Sequence, residues 1–504
     1  MTSTQQTALK NIVIVGGGSA GWMAAAALST MLSPQNVTIT LIESDKIGTI
    51  GVGEATIPDM VNFNSMLGIN EAEFLKAVNG TFKLGIEFID WGQKGERYIH
   101  PFGNHGVDMN GIDFHQYWLH SKNGGHPAQL EDYSLCASAA KDHKFTMPDR
   151  NPRSLLSHIR YAYHIDATLY ARFLRTYAEK RGVIRTEGTV IDVHQCPQSG
   201  YIQSLSLENG ARIEGDFFFD CTGFRALLAE KTLNVEFDDW SHWLPCDRAQ
   251  TVASEPSLPL LPYTKATAKS AGWQWRIPTQ TRTGNGHIYA SEFMDDQDAA
   301  DILMAGLETP AMGEPRLIKF RTGCRKNIWT KNCIALGLSA GFLEPLESTS
   351  LYLIQMGISR FISLFPSGDI SPVVRGEYNI QMQKEFDQVR DFIILHYKAT
   401  QRSDSPFWDY CRTMAIPDSL TRKIELFRAA GRVFRYDDEL FSKPSWVAVC
   451  LGQNIMPESC DPIVAALPYA QVNQSLESMS KAMTQAVEKM PTHETFLKRY
   501  GAMS

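Results

Sequence analysis

The chain has no Cys-x-x-Cys pair, no long run of Lys and Arg, no uninterrupted apolar stretch of membrane-spanning length, no repeat period and no low-complexity tract. Each absence narrows the reading. The nine cysteines are odd in number and scattered, so neither a structural zinc nor a disulfide framework is expected. A reduced, cytoplasmic protein without a bound metal is the simplest expectation. Lys and Arg total 48 against 55 Asp and Glu, a net charge of −7. Without clustered positive charge there is nothing to neutralise phosphates, and nucleic acid is set aside as a main partner. Without a spanning run, no membrane helix is expected. The opening MTSTQQTALKNIVIVGGGSAGW lacks a charged n-region, and glycines break its apolar run, so it reads as a strand and turn rather than a signal peptide.

What is present is ordinary globular composition, 43% apolar and 20% charged, over 504 residues, which is enough for two or more cores. Asn11 to Val15 (NIVIV) reads as a buried parallel strand, WMAAAALSTML as a helix and residues 37–42 (VTITLI) as the next strand. This βαβ opening predicts an α/β fold. Residues 48–152 are rich in glycine and aromatics and read as loop. Residues 164–181 have helical spacing, 183–193 alternate like one strand, and 201–207 with 212–219 look like a hairpin leading back to the sheet. Residues 241–319 read as a second β layer, 332–336 as a strand, 351–365 as a helix, and the chain from Tyr378 onward as mostly helical.

Gly16-Gly17-Gly18-Ser19-Ala20-Gly21 matches G-x-G-x-x-G directly after the first strand. Gly16 permits the tight turn, Gly18 lets backbone approach a pyrophosphate, and Gly21 lets helix and strand pack closely, while the helix N-terminus stabilises phosphate charge. Glu43, 22 residues after Gly21 at a strand end, suits a ribose. The unit is N-terminal and no second such motif follows. Asp220-Cys221-Thr222-Gly223 and the Gly337-Leu338 turn fall where two-domain flavoproteins close around the flavin. FAD is therefore expected rather than NAD, with reducing equivalents arriving from outside. Gly51 to Pro58, carrying Gly53, Glu54 and Ala55, is either a strap over the flavin or an ordinary surface loop.

Other residues are ambiguous taken singly. Lys83 in NGTFKLGIEF is a partly buried lysine on either a helix or a strand, or a snorkelling surface lysine. Glu344 and Glu347 bracket LEPLE in a loop entering a helix, where Glu347 is either a helix N-terminal acid or a base aimed into a cavity. Trp273 and Trp275 of WQWRIP share one face of a strand, as core or as the wall of a cavity.

Taken in order, GGGSAGW, GVGEATIP, the lysine of NGTFKLGIEF, IHPFG, FHQYWL, WQWRIP and GFLEPLESTS resemble the flavin-dependent halogenases of the tryptophan-halogenase type, from about Ile12 to Pro457. The resemblance implies a Rossmann-like FAD-binding domain of the two-domain flavin monooxygenase type, with an inserted β layer and a mostly helical C-terminal region. In boundaries, this is a discontinuous FAD-binding domain at 1–235 and 320–370, with a loop-rich insertion at about 60–152. The substrate-side β layer would be 236–319 and the helical cap 371–504. It also implies the chemistry. Reduced FAD and oxygen give a flavin C4a-hydroperoxide, which oxidises bromide or chloride to hypohalous acid. That acid passes through an internal tunnel to Lys83, which forms a haloamine or polarises it, and an electron-rich arene is halogenated with Glu347 assisting. The backbone amides of Thr349 and Ser350 would hold halide, although the family usually has glycine at the second position. His100 and Phe102 would sandwich the arene, and Trp273 and Trp275 would keep it from the flavin. A flavin reductase and an aromatic small molecule are the implied partners, with a homodimer left open.

Tryptophan-specific members hold the amino acid with a Tyr-Tyr pair, and this chain has none. Its corresponding region, GRVFRYDDELFSKPSWVAV, is shorter, and Trp446 is not equated with the family's sandwiching tryptophan. Free indole, a substituted indole or an indole within a larger molecule is expected instead, in a more open site. A flavin-dependent aromatic monooxygenase and a catalytically silent flavin-binding protein remain the alternatives.

Overall fold

The computed structural model describes residues 9–46, 53–366 and 368–503. Residues 47–52, which include the Gly51-Val52 start of the expected strap, lie outside the described residues, as do residues 1–8 of the N-terminal reading. Strand β1 (Asn11–Val15) sits inside a six-stranded sheet, flanked in parallel by β2 (Thr38–Glu43) and Phe217–Asp220. Its four apolar residues are buried whichever way they point, because the sheet is covered on both faces. Helix α1 (Ser19–Met31) crosses over between β1 and β2, and its run of alanines lets it lie close on the strands, with Ala24 to Ala27 at 0% exposure. This is the expected α/β opening.

A second, seven-stranded sheet runs Arg316–Lys319, Arg248–Ser254, Thr283–Tyr289, Gly272–Pro278, Thr264–Lys269, Gly85–Ile89 and Arg97–Pro101. The β layer read at 241–319 is present, but its last two strands come from the stretch read as loop. That stretch also holds the helices Asp59–Met66, Glu71–Ala77, Phe114–Asn123 and Leu135–Lys141. Its glycines mislead because one serves close strand packing: a Cβ on Gly85 would lie 2.5 Å from the His100 carbonyl oxygen.

Three further boundaries differ. His164 to Asp166 end a strand (Ala162–Asp166) rather than beginning a helix. Asp166 then accepts from the backbone N–H of Thr168 and Leu169, so its capping side chain starts the helix Ala167–Glu179. The alternation at 183–193 is two strands, Ile184–Glu187 and Val190–Gln195, which belong to different sheets. Ile202–Leu207 pairs with Arg212–Glu214, and the chain then leaves the hairpin for the central strand Phe217–Asp220. Lys83 resolves as a strand residue: Thr81–Lys83 and Gly53–Ala55 both pair with Ala162–Asp166. The C-terminal part is helical as expected, beginning with the 27-residue helix Pro372–Lys398. No helix among the described residues is long and apolar enough to cross a membrane.

Candidate active site

A cavity of about 550 Å³ opens at the C-terminal end of β1. Its floor is made by the glycine turn, and each glycine there has a distinct reason. Gly16 has φ +114°, and a Cβ on it would lie 2.2 Å from the Cys221 carbonyl oxygen. A Cβ on Gly21 would lie 1.9 Å from the Gly16 carbonyl oxygen, and one on Gly17 would meet the Glu43 carboxylate. Gly18 is different: a Cβ there would meet nothing within 4 Å, so this is where backbone stands open to a ligand. Ser19 and Ala20 begin α1 beside it, with the helix N-terminus directed at the space. Glu43 lines the cavity, with one oxygen held by Arg175 and Arg185 and the other accepting from Trp22 Nε1 at 3.2 Å. Gly53, Glu54 and Ala55 line it from the strap side, and Gly337 and Leu338 from the far side. Burial pushes the half-buried Glu54 carboxyl up to about 7. Thus the expected cofactor residues are brought together. The open backbone at Gly18, the helix N-terminus and the largely apolar walls fit an FAD, whose pyrophosphate and ring system need those surfaces.

Trp273 and Trp275 sit on the strand Gly272–Pro278 and line the same cavity, with ring centroids 6.1 Å apart. Trp273 is fixed by its Nε1, which donates to Glu344 Oε2 at 2.8 Å, and Tyr397 OH donates to the same oxygen at 2.6 Å. Glu344 Oε1 is buried without a partner. Burial pushes this carboxyl up to about 7, against the two hydrogen bonds. Behind Trp273 stands Trp91 at 6.3 Å, and behind Trp91 stands His396 at 6.0 Å.

Beyond this wall the second group of residues converges. Lys83 is fully buried, and its Nζ donates to the Thr56 carbonyl oxygen at 3.0 Å and to Ser348 Oγ at 2.7 Å. Burial holds its amine well below the ordinary lysine range, at about 7, although the Glu347 charge opposes this. Phe102 lies beneath the ammonium at 5.2 Å. His100 Nδ1 is 2.9 Å from Glu347 Oε2, and His396 Nε2 is 2.8 Å from Glu347 Oε1. Burial pushes the Glu347 carboxyl up, but the two histidines more than reverse this and hold it at about 2. Lys83, His100, Phe102 and Glu347 are therefore one cluster, drawn from the strand Thr81–Lys83, the end of the strand Arg97–Pro101 with the residue after it, and a short turn far along the chain. Around it lie Phe392, 5.7 Å from His100, with Phe441 stacked on Phe392 at 3.7 Å and Trp446 edge-on at 5.0 Å.

Between the two groups runs the turn Pro345–Glu347. Ser348 follows in the left-handed region at φ 62°, and then comes the helix Ser350–Ser363. That conformation turns the Ser348 hydroxyl to Lys83 while presenting the helix N-terminus to the other side, where Ser350 lines the flavin cavity. Thr349 is the N-cap residue, 1% exposed. The first N–H groups of a helix have no intrahelical acceptor, so Thr349 and Ser350 offer anion-binding amides there.

Sequence reasoning missed Thr56, Ser348, Trp91, His396 and Tyr397. Ser348 adjoins Glu347 and was available from its position. His396 and Tyr397 lie inside a long helix with no local signal. Among the described residues no group of His, Cys, Asp and Glu is arranged to hold a metal ion.

The family model for tryptophan halogenase matches residues 11–469. The tryptophan 6-halogenase SttH of Streptomyces toxytricini is 33% identical over 97% of this chain and 98% of its own. Among solved structures, Xcc4156, a flavin-dependent halogenase from Xanthomonas campestris, superposes with a TM-score of 0.95 at 46% identity, covering 98% of this chain and 99% of that one. BrvH, a flavin-dependent halogenase from Brevundimonas sp. BAL3, does so with a TM-score of 0.94 at 44% identity, over 98% and 99%.

Proposed function

This chain belongs to the tryptophan halogenase family, and from that premise we propose that it halogenates indole or an indole-containing molecule, using Lys83 and Glu347 in a chamber separate from the flavin. The coarser statement is that of the family: an oxidoreductase using reduced FAD, oxygen and a halide, served by a separate flavin reductase and acting on an aromatic substrate. Bound reduced flavin supplies, with oxygen, the oxidation of halide to hypohalous acid.

The residues of the chain supply the rest. Amides at the start of the helix Ser350–Ser363 hold bromide or chloride beside the flavin cavity, and Ser350 keeps the N–H that a glycine would give. Trp273 and Trp275 deny an arene that space while a small oxidant passes. Lys83, already donating to Thr56 and Ser348, keeps one ammonium hydrogen to polarise hypohalous acid toward the arene. His100 and Phe102 flank the arene ring. Glu347, an ionised carboxylate in a dry site, stabilises the cationic ring that forms on halogen attack and takes the ring proton.

The observation that carries this reading is the convergence of Lys83, His100, Phe102 and Glu347 behind the tryptophan wall. The preference for an indole without the free amino acid's groups rests on the missing Tyr-Tyr pair and the short segment before Trp446. The test is incubation with FAD, a flavin reductase, NADH and bromide or chloride, over a panel of indoles and free tryptophan, read by mass spectrometry. Halogenated indoles with little halotryptophan are expected. Oxygenated arene formed without halide indicates a monooxygenase instead, and flavin reoxidation with no product indicates a silent flavoprotein.

A further inference from the structure

We propose that His396 is a positioning residue for Glu347, a second imidazole, protonated at both ring nitrogens, whose charge beside the carboxylate fixes it in place and in its ionised form. The proposal rests on the reading of Glu347 above.

His396 Nδ1 lies 2.9 Å from the Phe392 carbonyl oxygen, four residues earlier in the helix Pro372–Lys398. A carbonyl oxygen only accepts, so Nδ1 carries hydrogen. The other nitrogen, Nε2, is 2.8 Å from Glu347 Oε1, with both side chains at 2% exposure or less. If Nε2 were bare, its partial negative charge would stand 2.8 Å from a carboxylate oxygen without water between them. Such a contact in a dry site is strongly repulsive. One hydrogen must therefore sit on Nε2 or on the carboxyl. His100 bears on the choice, because its Nδ1 approaches both oxygens of the same carboxylate, at 2.9 and 3.1 Å, as an N–H shared between two carboxylate oxygens does. An ionised carboxylate accepts from His100 and pairs with a charged His396, and the lowered titration range of Glu347, about 2, agrees with this. The Nε2–H vector does not lie along the 2.8 Å line, so the contact is an ion pair more than a straight hydrogen bond.

The ring has no freedom to leave. Phe88 lies 4.7 Å from it, Phe392 5.3 Å and Trp91 6.0 Å. The titratable groups facing Glu347 are Lys83 from one strand, Tyr98 and His100 from another, and His396 from the helix. Of these, Lys83 is committed to Thr56 and Ser348, and Tyr98 OH donates to Gln453. His396 is thus the group that completes the carboxylate's neutralisation on the side away from His100. Its consequence for catalysis is indirect: with His396 in place, Glu347 is anionic across the working pH range, so it always presents charge to the cationic ring.

The test has a part that needs no variant. In 15N-histidine NMR of the wild-type protein at neutral pH, with the His396 signals assigned by their loss in H396Q or H396N, both ring nitrogens are expected to be protonated. A singly protonated neutral ring overturns the proposal. The functional part measures arene bromination with reduced FAD at pH 5.5 and 7.5. H396Q should keep FAD affinity, melting temperature and hypobromous acid output. It should lose tenfold or more in kcat with KM little changed, and the loss should be larger at pH 5.5, where an unclamped Glu347 begins to protonate. H396N, with a shorter amide, is expected to be worse than H396Q, and failure of H396Q to fold leaves the NMR result and H396N to decide. An equal loss at both pH values, as packing alone produces, overturns the proposal. E347Q distinguishes the premise. If E347Q brominates like wild type, the reading of Glu347 fails and His396 with it. If E347Q is inactive while H396Q keeps the wild-type pH profile, only the His396 inference fails.

Discussion

Glu344 and Glu347 lie three residues apart on one turn, both buried, in opposite surroundings. Glu344 faces the tryptophan wall and meets only neutral donors, Trp273 and Tyr397, so burial prevails and its carboxyl rises to about 7. Glu347 faces the lysine cluster between two imidazoles, and their charge prevails over burial, taking it to about 2. Burial alone does not set a carboxylate's role; the partners do. One partner of each comes from adjacent residues of one helix, His396 for Glu347 and Tyr397 for Glu344. The same backbone that fixes the charged acid on the substrate side fixes the wall on the flavin side.

The largest effect is expected at the charged acid. Glu347→Gln should lower arene halogenation by about 10²–10⁴-fold with FAD binding intact, as measured by single-turnover assays, since it removes both charge and proton acceptor. If Glu344→Gln caused an equal loss, the two glutamates would not differ in role. Next comes the wall. Trp273→Ala should cost about 3–5 kcal/mol of stability in denaturant titration, and it should yield no oxygenated arene by mass spectrometry, since packing fails before a new path to the flavin forms. Of similar size is Glu344→Leu. It leaves the buried Trp273 N–H and Tyr397 O–H without an acceptor, at about 1–3 kcal/mol each, whereas Glu344→Gln retains an acceptor oxygen and a near wild-type melting temperature.

The smallest effect is in pH. Lys83 is an ammonium below about 7 and an amine above it. Halogenation that relies on its N–H donation should therefore fall as pH rises through about 7, by up to tenfold per unit. Glu344 also changes charge near 7, neutral below and anionic above, so the limb should survive in Glu344→Gln. A rate that rises through that range favours the amine as a nucleophile and a haloamine route.

The flavin side was more legible in the sequence than the substrate side, for a physical reason. Gly16, Gly18, Gly21 and Glu43 act through backbone conformation and short-range spacing, which a linear motif preserves. Lys83 and Glu347 are 264 positions apart, and nothing local links them; only the resemblance put them in one site. Ser348 was available as the neighbour of Glu347, but its bond with Lys83 was not, because that depends on a left-handed backbone that its residue type does not announce. His396 and Tyr397 were hidden because helical spacing explains them equally well as core. Gly85 misled in the other direction, marking close strand contact rather than loop.

The central claim is that oxidant is made on one side of the wall and used on the other. Lys83→Met tests it most directly. With reduced FAD and bromide, hypobromous acid is captured by a dimedone trap while brominated indole is measured in parallel. The account predicts trapped oxidant at near wild-type yield and brominated indole reduced by about 10²-fold or more. Loss of both products together, or retention of brominated indole at wild-type level, contradicts it.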